Sequence, residues 1–465
     1  MKCDSREVCL WRNCLTAEQV IVYNPPATKQ TAEADFLNRK STFLLLLLVF
    51  LTLTAWAQTA PKQIVIHAGH LLDVKSGRML ENQQIVISGD KIVSVGPVGA
   101  VPAGAQVIEL PNATVMPGLI DAHTHLTGDP KDFGYESLGI STPREALIGA
   151  KNAKITLEAG FTTVRNVGAG GFSDVALRDA INAGDVPGPH MLVSGPPLGI
   201  TGGHCDENLL APEFHYSADG VADGIAAVQH KVRENIKYGA DLIKICATGG
   251  VMSKGDDPNA SQYTLEEMKA IVADAHRLGR KVAAHAHGAQ GVSWASEAGV
   301  DSVEHGHLMD DSSIATLKKN GTYLVPTLYL TEWWAENMDR MKAPDYLKTK
   351  MKVVSQSAEK AAQKAIAAGV KIGLGTDAAV YPHGLNAHEL AVYVKLGMTP
   401  IQAIQTATVN DADLLGWSDK VGSLEPNKWA DIIAVDGDPT HDVTTLQHVR
   451  FVMKGGEVYK NEYGK

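Results

Sequence analysis

Histidine side chains occur in three closely spaced pairs that suit the binding of metal ions, and His305 and His307 form the third. His123 and His125 are separated by one residue, and so are His285 and His287. In a β-strand, residues two positions apart point to the same face, so the imidazoles of each pair would converge on one point. Imidazole and carboxylate groups are common ligands of Zn²⁺ and related divalent ions. The first chemistry that the sequence suggests is therefore metal-assisted.

Further candidate metal ligands lie within or directly after other short apolar stretches that are predicted to be strands: Lys244, His305 and Asp377. A single buried histidine is usually a hydrogen-bonded core residue, and an aspartate at a strand end often caps a helix. However, ligand-type side chains at the same end of five predicted strands would be costly if they served only packing. We therefore predict a binuclear metal site. Its predicted ligands are His123, His125, Lys244, His285, His305 and Asp377.

Lys244 gives the strongest physical argument for this site. It lies between Ile243 and Ile245, where an ammonium group carries a large desolvation cost unless it is neutralised or paired. Reaction of its amine with CO2 would give a carbamate, whose two oxygens could bridge two metal ions about 3.5–4 Å apart. A lysine with a lowered pKa, or a salt bridge to Asp377, is the alternative.

The elements that must position these residues follow an alternating pattern. Between about residues 115 and 415, short strand-like runs alternate with amphipathic helical stretches. This predicts an α/β fold of the (β/α)8 TIM barrel type, whose active site lies at the C-terminal ends of the strands. A doubly wound sheet is the alternative, but no glycine-rich dinucleotide motif follows a strand. The predicted strands are Val115–Ile120, Thr162–Val167, His190–Ser194, Asp241–Cys246, Lys281–Ala286, Asp301–Glu304, Tyr323–Thr327 and Lys371–Gly375.

Both ends of the mature chain carry short β-branched runs separated by turns. Neither end is large enough to bury a sheet face alone, so we predict that they pair into a small β-sandwich. The predicted domains are residues 58–114 and 421–465 for the sandwich and residues 115–420 for the barrel.

Residues 1–57 are interpreted as an N-terminal prefix followed by a signal peptide. Phe43–Leu53 is apolar, is preceded by two basic residues and is followed by Ala-Trp-Ala, with cleavage expected after Ala57. A retained membrane anchor is the alternative, although a span needs about 20 apolar residues. We therefore expect an exported protein, periplasmic or secreted.

Composition and cysteine content narrow the class of protein. The 465 residues include 42 lysines and arginines against 52 aspartates and glutamates, a net charge of −10, and contain no basic block. We therefore expect no nucleic-acid partner. Beyond the predicted signal peptide only Cys205 and Cys246 remain, too few for a disulfide framework. We expect two thiols, with a single bridge between them as the alternative.

With these motifs in place, the sequence resembles the amidohydrolase superfamily over nearly the whole mature chain. The shared pattern is an HxH pair on strand one, a lysine on strand four, histidines on strands five and six and an aspartate on strand eight. Within the superfamily it resembles the imidazolonepropionase-like branch of Xaa-Pro dipeptidases and Xaa-Arg/Lys carboxypeptidases, and the bacterial ochratoxin-hydrolysing amidohydrolases. The stretches that favour this branch are TGGH at 201–204, TGGV at 248–251 and AHAHG at 284–288.

The resemblance implies a role for each ligand. The first histidine pair would hold a buried metal ion, and Asp377 would touch that ion and act as general base. His285 and His305 would hold an outer ion, and carboxylated Lys244 would bridge the two ions. His287 competes with His285, but the family places the ligand first in the pair, which leaves His287 to meet substrate. Zinc is the expected metal, although these ligand types do not exclude manganese or cobalt.

The implied activity is hydrolysis of the amide bond before a C-terminal amino acid, in dipeptides or N-acyl amino acids, with ochratoxin A as a candidate. A hydroxide that bridges the two ions would attack the carbonyl, and Asp377 would pass its proton to the leaving amine. His204, His287 and Arg165 are candidates for binding the substrate's free carboxylate, although Arg165 could equally pair with a neighbouring carboxylate. Hydrolysis of a cyclic amide or lactone, as in imidazolonepropionases, is the alternative. Oligomers, often octamers, are common in the family, so we expect a homo-oligomer.

Overall fold

A computed structural model of the protein describes residues 62–132 and 134–464. The predicted signal peptide and the rest of residues 1–57 lie outside the described residues. Within the described ranges, no helix combines the length and the apolar character needed to cross a membrane.

Both ends of the described chain contribute strands to one seven-stranded sheet. Its strand order is β14-β13-β12-β4-β1-β2-β3, so strand β12 from the C-terminal part lies antiparallel to β4 from the N-terminal part. The two ends therefore pair with each other, and a two-layered sandwich stays a prediction. The strands are β1 (Gln63–Asp73), β2 (Arg78–Ser88), β3 (Lys91–Pro97), β4 (Gln106–Pro117), β12 (Ile432–Asp436), β13 (Phe451–Lys454) and β14 (Glu457–Asn461).

The strands that carry the predicted site form two parallel sheets, ordered β5-β6-β7 and β11-β10-β9-β8. Their residues are almost all buried, which explains the continuous apolar runs in the sequence. These strands are β5 (Leu119–Thr124), β6 (Phe161–Asn166), β7 (His190–Val193), β8 (Leu242–Cys246), β9 (Lys281–Gly288), β10 (Ser302–Leu308) and β11 (Tyr323–Val325).

Helices follow most of these strands and cover them with an apolar face. In α4, for example, Thr264 and Glu267 form a capping box at the N-terminus, and Met268 and Ile271 are buried. The helices are α1 (Thr142–Glu158), α2 (Ser173–Ala183), α3 (Ile225–Lys237), α4 (Leu265–Arg277), α5 (Ala289–Ala298), α6 (Asp311–Asn320), α7 (Tyr329–Asn337), α8 (Asp345–Ala368), α9 (His388–Lys395), α10 (Pro400–Gln405) and α11 (Asp411–Leu415).

The first predicted barrel strand is wrong as a single element, because it is divided between two sheets. Val115 and Met116 belong to the end of β4, whereas Leu119 begins β5 in a parallel sheet. Gly118 lies at the break, where a Cβ atom would overlap the side chain of Thr162 on β6. The sequence does not indicate this break by its hydrophobic pattern, because the residues on both sides of Gly118 are apolar and buried.

The eighth predicted strand, Lys371–Gly375, is not assigned as a strand, but it is hydrogen-bonded on both sides. Leu324 on β11 exchanges two backbone hydrogen bonds with it (2.8 and 3.0 Å), and the amide of Ala122 on β5 donates to the carbonyl of Leu374 (2.8 Å). The segment therefore delivers Asp377 beside the end of β5. Closure of a complete eight-stranded barrel stays a prediction.

The expectation of two free thiols is wrong, because Cys205 and Cys246 form a disulfide. Their Cα atoms lie 6.1 Å apart, within the usual range for a bridged pair. Leu198, upstream of Cys205, exchanges backbone hydrogen bonds with the strand that ends at Cys246, and this brings the two cysteines together. They are 41 residues apart in the sequence, so their proximity follows from the tertiary fold.

Candidate active site

A cavity of about 460 Å³ lies at the C-terminal ends of the parallel strands. The strand ends and the loops after them supply its walls, as the general anatomy of barrel enzymes leads one to expect. All six predicted metal ligands line it, together with two of the three predicted substrate residues. These residues are His123, His125, Lys244, His285, His305 and Asp377, with His204 and His287.

His123, His125 and Asp377 form a group that fits one metal ion. The Nε2 atoms of His123 and His125 lie 3.4 and 3.3 Å from the same oxygen, Oδ1 of Asp377. One ligand atom from each residue lies within 4.8 Å of the others. Burial alone would raise the pKa of Asp377, but the two imidazoles outweigh it and hold the pKa well below its usual range. Asp377 is therefore an ionised acceptor in the cavity.

The orientation of His123 is fixed from behind by a buried carboxylate. Nδ1 of His123 lies 2.8 Å from Oε2 of Glu304, which is fully buried. Burial would raise the pKa of Glu304, but the charge of Arg165 and the contact with His123 lower it to about 2. Glu304 therefore accepts a hydrogen bond from Nδ1 of His123, which leaves Nε2 of His123 available to a metal ion. Partners of this kind orient metal-binding histidines and raise their basicity.

Arg165 lies outside the cavity wall and belongs to this supporting layer. Its guanidinium donates to Oε1 of Glu304 (2.9 Å) and to Oγ of Ser302 (3.0 Å), and the residue is only 2% exposed. Its position fits the alternative of an ion pair with a neighbouring carboxylate, rather than a contact with substrate.

His285 and His305 form the other side of the candidate metal centre, with ring centroids 4.7 Å apart. Nε2 of His285 lies 3.2 Å from the carbonyl oxygen of Gly249, so this nitrogen carries the proton and Nδ1 keeps its lone pair. Nδ1 of His305 lies 2.7 Å from Oγ1 of Thr327, which leaves its Nε2 available. Each imidazole therefore has one nitrogen held by the protein and one free for a ligand.

Lys244 lines the cavity and is buried, with 3% of its surface exposed. No carboxylate lies within salt-bridge distance of its Nζ among the described residues, so the predicted alternative of a salt bridge to Asp377 is not found. Burial lowers the pKa of Lys244 to about 8, although Glu304 and Asp377 partly oppose the shift. The amine of Lys244 is therefore more often neutral and nucleophilic at neutral pH than that of an ordinary lysine.

His204 and His287 occupy the wall beside these ligands. The ring of His204 stacks on His285, with centroids 4.1 Å apart, and its Nδ1 lies 2.8 Å from Oγ of Ser253. Burial lowers the pKa of His204 to about 4, so it is neutral at pH 7. His287 is 3% exposed, and its Nδ1 has no hydrogen-bond partner within the part of the chain that the structure describes.

Sequence reasoning missed the residues that hold the ligands in place. Glu304 directly precedes His305 in the sequence, and an acidic residue next to a histidine at a strand end could have been predicted to support a metal ligand. Ser253 and the Gly249 carbonyl gave no signal, because backbone and hydroxyl groups have no characteristic spacing. The donor set itself fits divalent metal ions, since nitrogens with lone pairs, an ionised carboxylate and a partly neutral amine face one cavity.

Comparisons with known proteins show the family to which the chain belongs. The model of the amidohydrolase family matches residues 114–460. Ochratoxinase from Aspergillus niger is 36% identical over 428 residues, which cover 86% of this chain and 87% of that protein. Imidazolonepropionase from Fusobacterium nucleatum is 26% identical over 393 residues, covering 76% and 85%. A solved Xaa-Pro dipeptidase with methionine bound in its active site matches with a TM-score of 0.81 at 38% identity, covering 86% of this chain and 100% of that chain. The resemblance is confirmed, and the chain belongs to the amidohydrolase family of hydrolases.

Proposed function

We propose that this hydrolase cleaves the amide bond before a C-terminal amino acid, in dipeptides or N-acyl amino acids. The observation that carries the proposal is Lys244, a buried amine without a salt-bridge partner among the described residues, which lines the same cavity as the candidate metal ligands. The names of the similar proteins supply the substrate class: a Xaa-Pro dipeptidase suggests dipeptides, and ochratoxinase adds ochratoxin A.

The residues present would hold two divalent ions, with zinc as the expected metal. His123, His125 and Asp377 would hold one ion, and His285 and His305 the other. The amine of Lys244 would attack CO2, forming an N–C bond and releasing one proton, and the resulting carbamate would join the two groups. When bound, two such ions polarise the scissile carbonyl and acidify the attacking water. We further propose that the parallel sheets close into one barrel around this centre.

Asp377 would move the proton during the reaction. Its low pKa makes it an acceptor at neutral pH, and it is 14% exposed at the cavity rather than fully enclosed. A carboxylate in this position can take the proton of the attacking water and deliver it to the nitrogen of the leaving amine. Delivery matters because an amide nitrogen leaves poorly as an anion.

His204 and His287 would contact the carboxylate end of the substrate, His204 in its protonated form, because the negative charge of a bound carboxylate favours the imidazolium. Both line the cavity beside the candidate outer-metal ligand His285, with ring centroids 4.1 and 4.8 Å from it. A carboxylate held there would place the preceding amide bond towards the centre of the cavity. Arg165 has no part in this proposal, because it is paired with Glu304 behind the ligands.

A substrate panel assayed with zinc and bicarbonate present tests the proposal. It should contain Xaa-Pro and Xaa-Met dipeptides, N-acyl amino acids and ochratoxin A, each beside its C-terminal amide as a matched compound without a free carboxylate. We expect turnover of free acids at least about tenfold faster than of the amides, the ratio given by about 1.4 kcal/mol. Equal turnover of acids and amides, or preference for lactones and cyclic amides, would contradict the proposal and favour the imidazolonepropionase-like alternative.

A further inference from the structure

One loop connects the wall of the cavity with helix α8, whose residues Met351 and Val354 also line the cavity. The 249–257 loop follows strand β8, and its residues Val251 and Met252 line the cavity. Its backbone also contacts a candidate metal ligand, because the Gly249 carbonyl accepts from Nε2 of His285. The position of this loop therefore affects both the substrate wall and the orientation of His285.

Lys350, on helix α8, fastens this loop from behind. Its Nζ donates to the carbonyls of Gly250 and Ser253, both at 2.8 Å, and to Oδ1 of Asp256 at 2.5 Å. The side chains of Lys350 and Asp256 are only 13% and 6% exposed. Three charge-assisted bonds from one ammonium to one loop are a specific arrangement, unlike the exposed ion pairs on the surface of the protein.

The arrangement continues from the loop to His204. Oγ of Ser253 lies 2.7 and 2.8 Å from the two carboxylate oxygens of Asp256, and Nδ1 of His204 lies 2.8 Å from the same hydroxyl. Gly250 packs so closely on the imidazole that a Cβ atom there would overlap it. The loop therefore fixes the ring of His204 by a hydrogen bond and by direct packing.

We propose that Lys350 is a positioning residue for substrate binding, which acts through Asp256 and Ser253 to hold His204 against the cavity. The proposal rests on the proposed function, in which His204 contacts the substrate carboxylate. Lys350 itself does not line the cavity, although the adjacent Met351 does. Loss of the ammonium would loosen the loop, although Tyr346 and Asn208 also bind its carbonyls, and His204 would be held less firmly. Substrate affinity would therefore fall more than turnover.

The test compares Lys350→Met with Lys348→Met in the parent and in a His204→Ala background. Lys348 lies on the same helix and makes only a 4.0 Å contact with the fully exposed Asp339, so it is a matched control. We expect Lys350→Met to raise KM about tenfold with kcat changed less than about threefold, as for one lost oriented hydrogen bond. In the His204→Ala background it should raise KM less than about twofold, because coupled residues do not add.

Each outcome has a defined meaning. An equal rise in KM in both backgrounds, or none in the parent, would overturn the proposal. Lys350→Arg should keep most of the substrate affinity of the parent. If Lys350→Met does not fold because it leaves the buried carboxylate of Asp256 unpaired, the double variant Lys350→Met with Asp256→Asn takes its place. Hydrogen exchange in residues 249–257 gives a readout without substrate: Lys350→Met should speed it about tenfold and Lys348→Met should not. A parent that cleaves no panel substrate would refute the proposed function, whereas unchanged exchange would refute the role of Lys350.

Discussion

Replacement of Glu304 by glutamine tests how the candidate metal centre is supported. The carboxylate is fully buried and accepts from Arg165 (2.9 Å), from Nδ1 of His123 (2.8 Å) and from the hydroxyl of Ser302. Glutamine keeps the size of the side chain but removes the charge and one acceptor oxygen. Glu304→Gln therefore leaves a buried guanidinium without its counter-ion and the His123 ring without a charged acceptor.

The structure sets the size of the two effects. Arg165 is 2% exposed, and removal of the partner of such a buried charge costs about 3–5 kcal/mol of unfolding free energy. Loss of a carboxylate that orients a metal-binding histidine lowers metal affinity about 10- to 100-fold. We expect both losses in Glu304→Gln, the first in the metal-free protein and the second in metal titrations.

Two assays and one control variant separate these effects. Urea unfolding of the metal-free proteins gives the stability difference, and zinc titration against a competing chelator gives the affinity. In the double variant Arg165→Met with Glu304→Met both charges are gone, so most of the stability should return. Its zinc affinity should stay low, because His123 still lacks the acceptor. A Glu304→Gln protein within about 1 kcal/mol of the parent, with unchanged zinc affinity, would refute the reasoning.

Four further predictions concern the candidate active site and the stability of the fold around it. Asp377→Asn should keep the fold and at least one metal ion but lose about 10²- to 10⁴-fold in kcat, and near-normal turnover would contradict its role as base. Lys244→Ala should lose about one metal ion per chain by elemental analysis and recover part of its activity with small carboxylic acids; equal metal content in variant and parent would exclude the bridge. Asp174 is buried and has its pKa raised to about 6, so the stability that it contributes is fully present below its unfolded pKa of 3.8 and is lost as the pH rises through about 6. The unfolding free energy of the parent, measured relative to that of Asp174→Asn, should therefore be about 3 kcal/mol lower at pH 7 than at pH 3. A difference that does not change with pH would contradict the assignment. Replacement of Cys205 and Cys246 by serine should lower the unfolding free energy by about 4 kcal/mol, the value for a closed loop of this length, and an unchanged urea midpoint would contradict a stabilising bridge.

The residues that sequence reasoning placed best are those whose spacing is set by a single strand. His123 and His125 share a face because strands alternate, and this holds whatever the rest of the fold does. Arg165 shows the limit of such reasoning. Its partner Glu304 is 139 residues away on β10, and nothing in the sequence around Arg165 decides between a substrate carboxylate and a protein one.

The division of the first predicted strand has a different cause. The run from Val115 to Ile120 is apolar throughout, and all of its residues are buried, so periodicity alone cannot reveal that it serves two sheets. Pro117 and Gly118 in the middle of the run were the local signal, because proline and glycine mark breaks in strands. The contacts that make glycine necessary involve Thr162, which only the tertiary structure brings there.

Several residues in and beside the candidate active site have strained backbone conformations. His305, Thr327, Asp377 and Ala379 have positive φ angles of 71°, 48°, 59° and 115°, although none is glycine. Each such conformation costs about 1–3 kcal/mol and persists only where the surroundings impose it.

At Asp377 the surroundings that impose this conformation can be identified. The amide of Asp377 donates to the carbonyl of His123 (2.7 Å), and the hydroxyl of the preceding Thr376 donates to buried Asp121 (2.6 Å), which also accepts from Asn386 (2.7 Å). These bonds turn the chain sharply after the last strand-like segment and direct the carboxylate towards both imidazoles. The buried hydrogen bonds behind the site thus hold the strained backbone in the orientation that brings the carboxylate of Asp377 to His123 and His125.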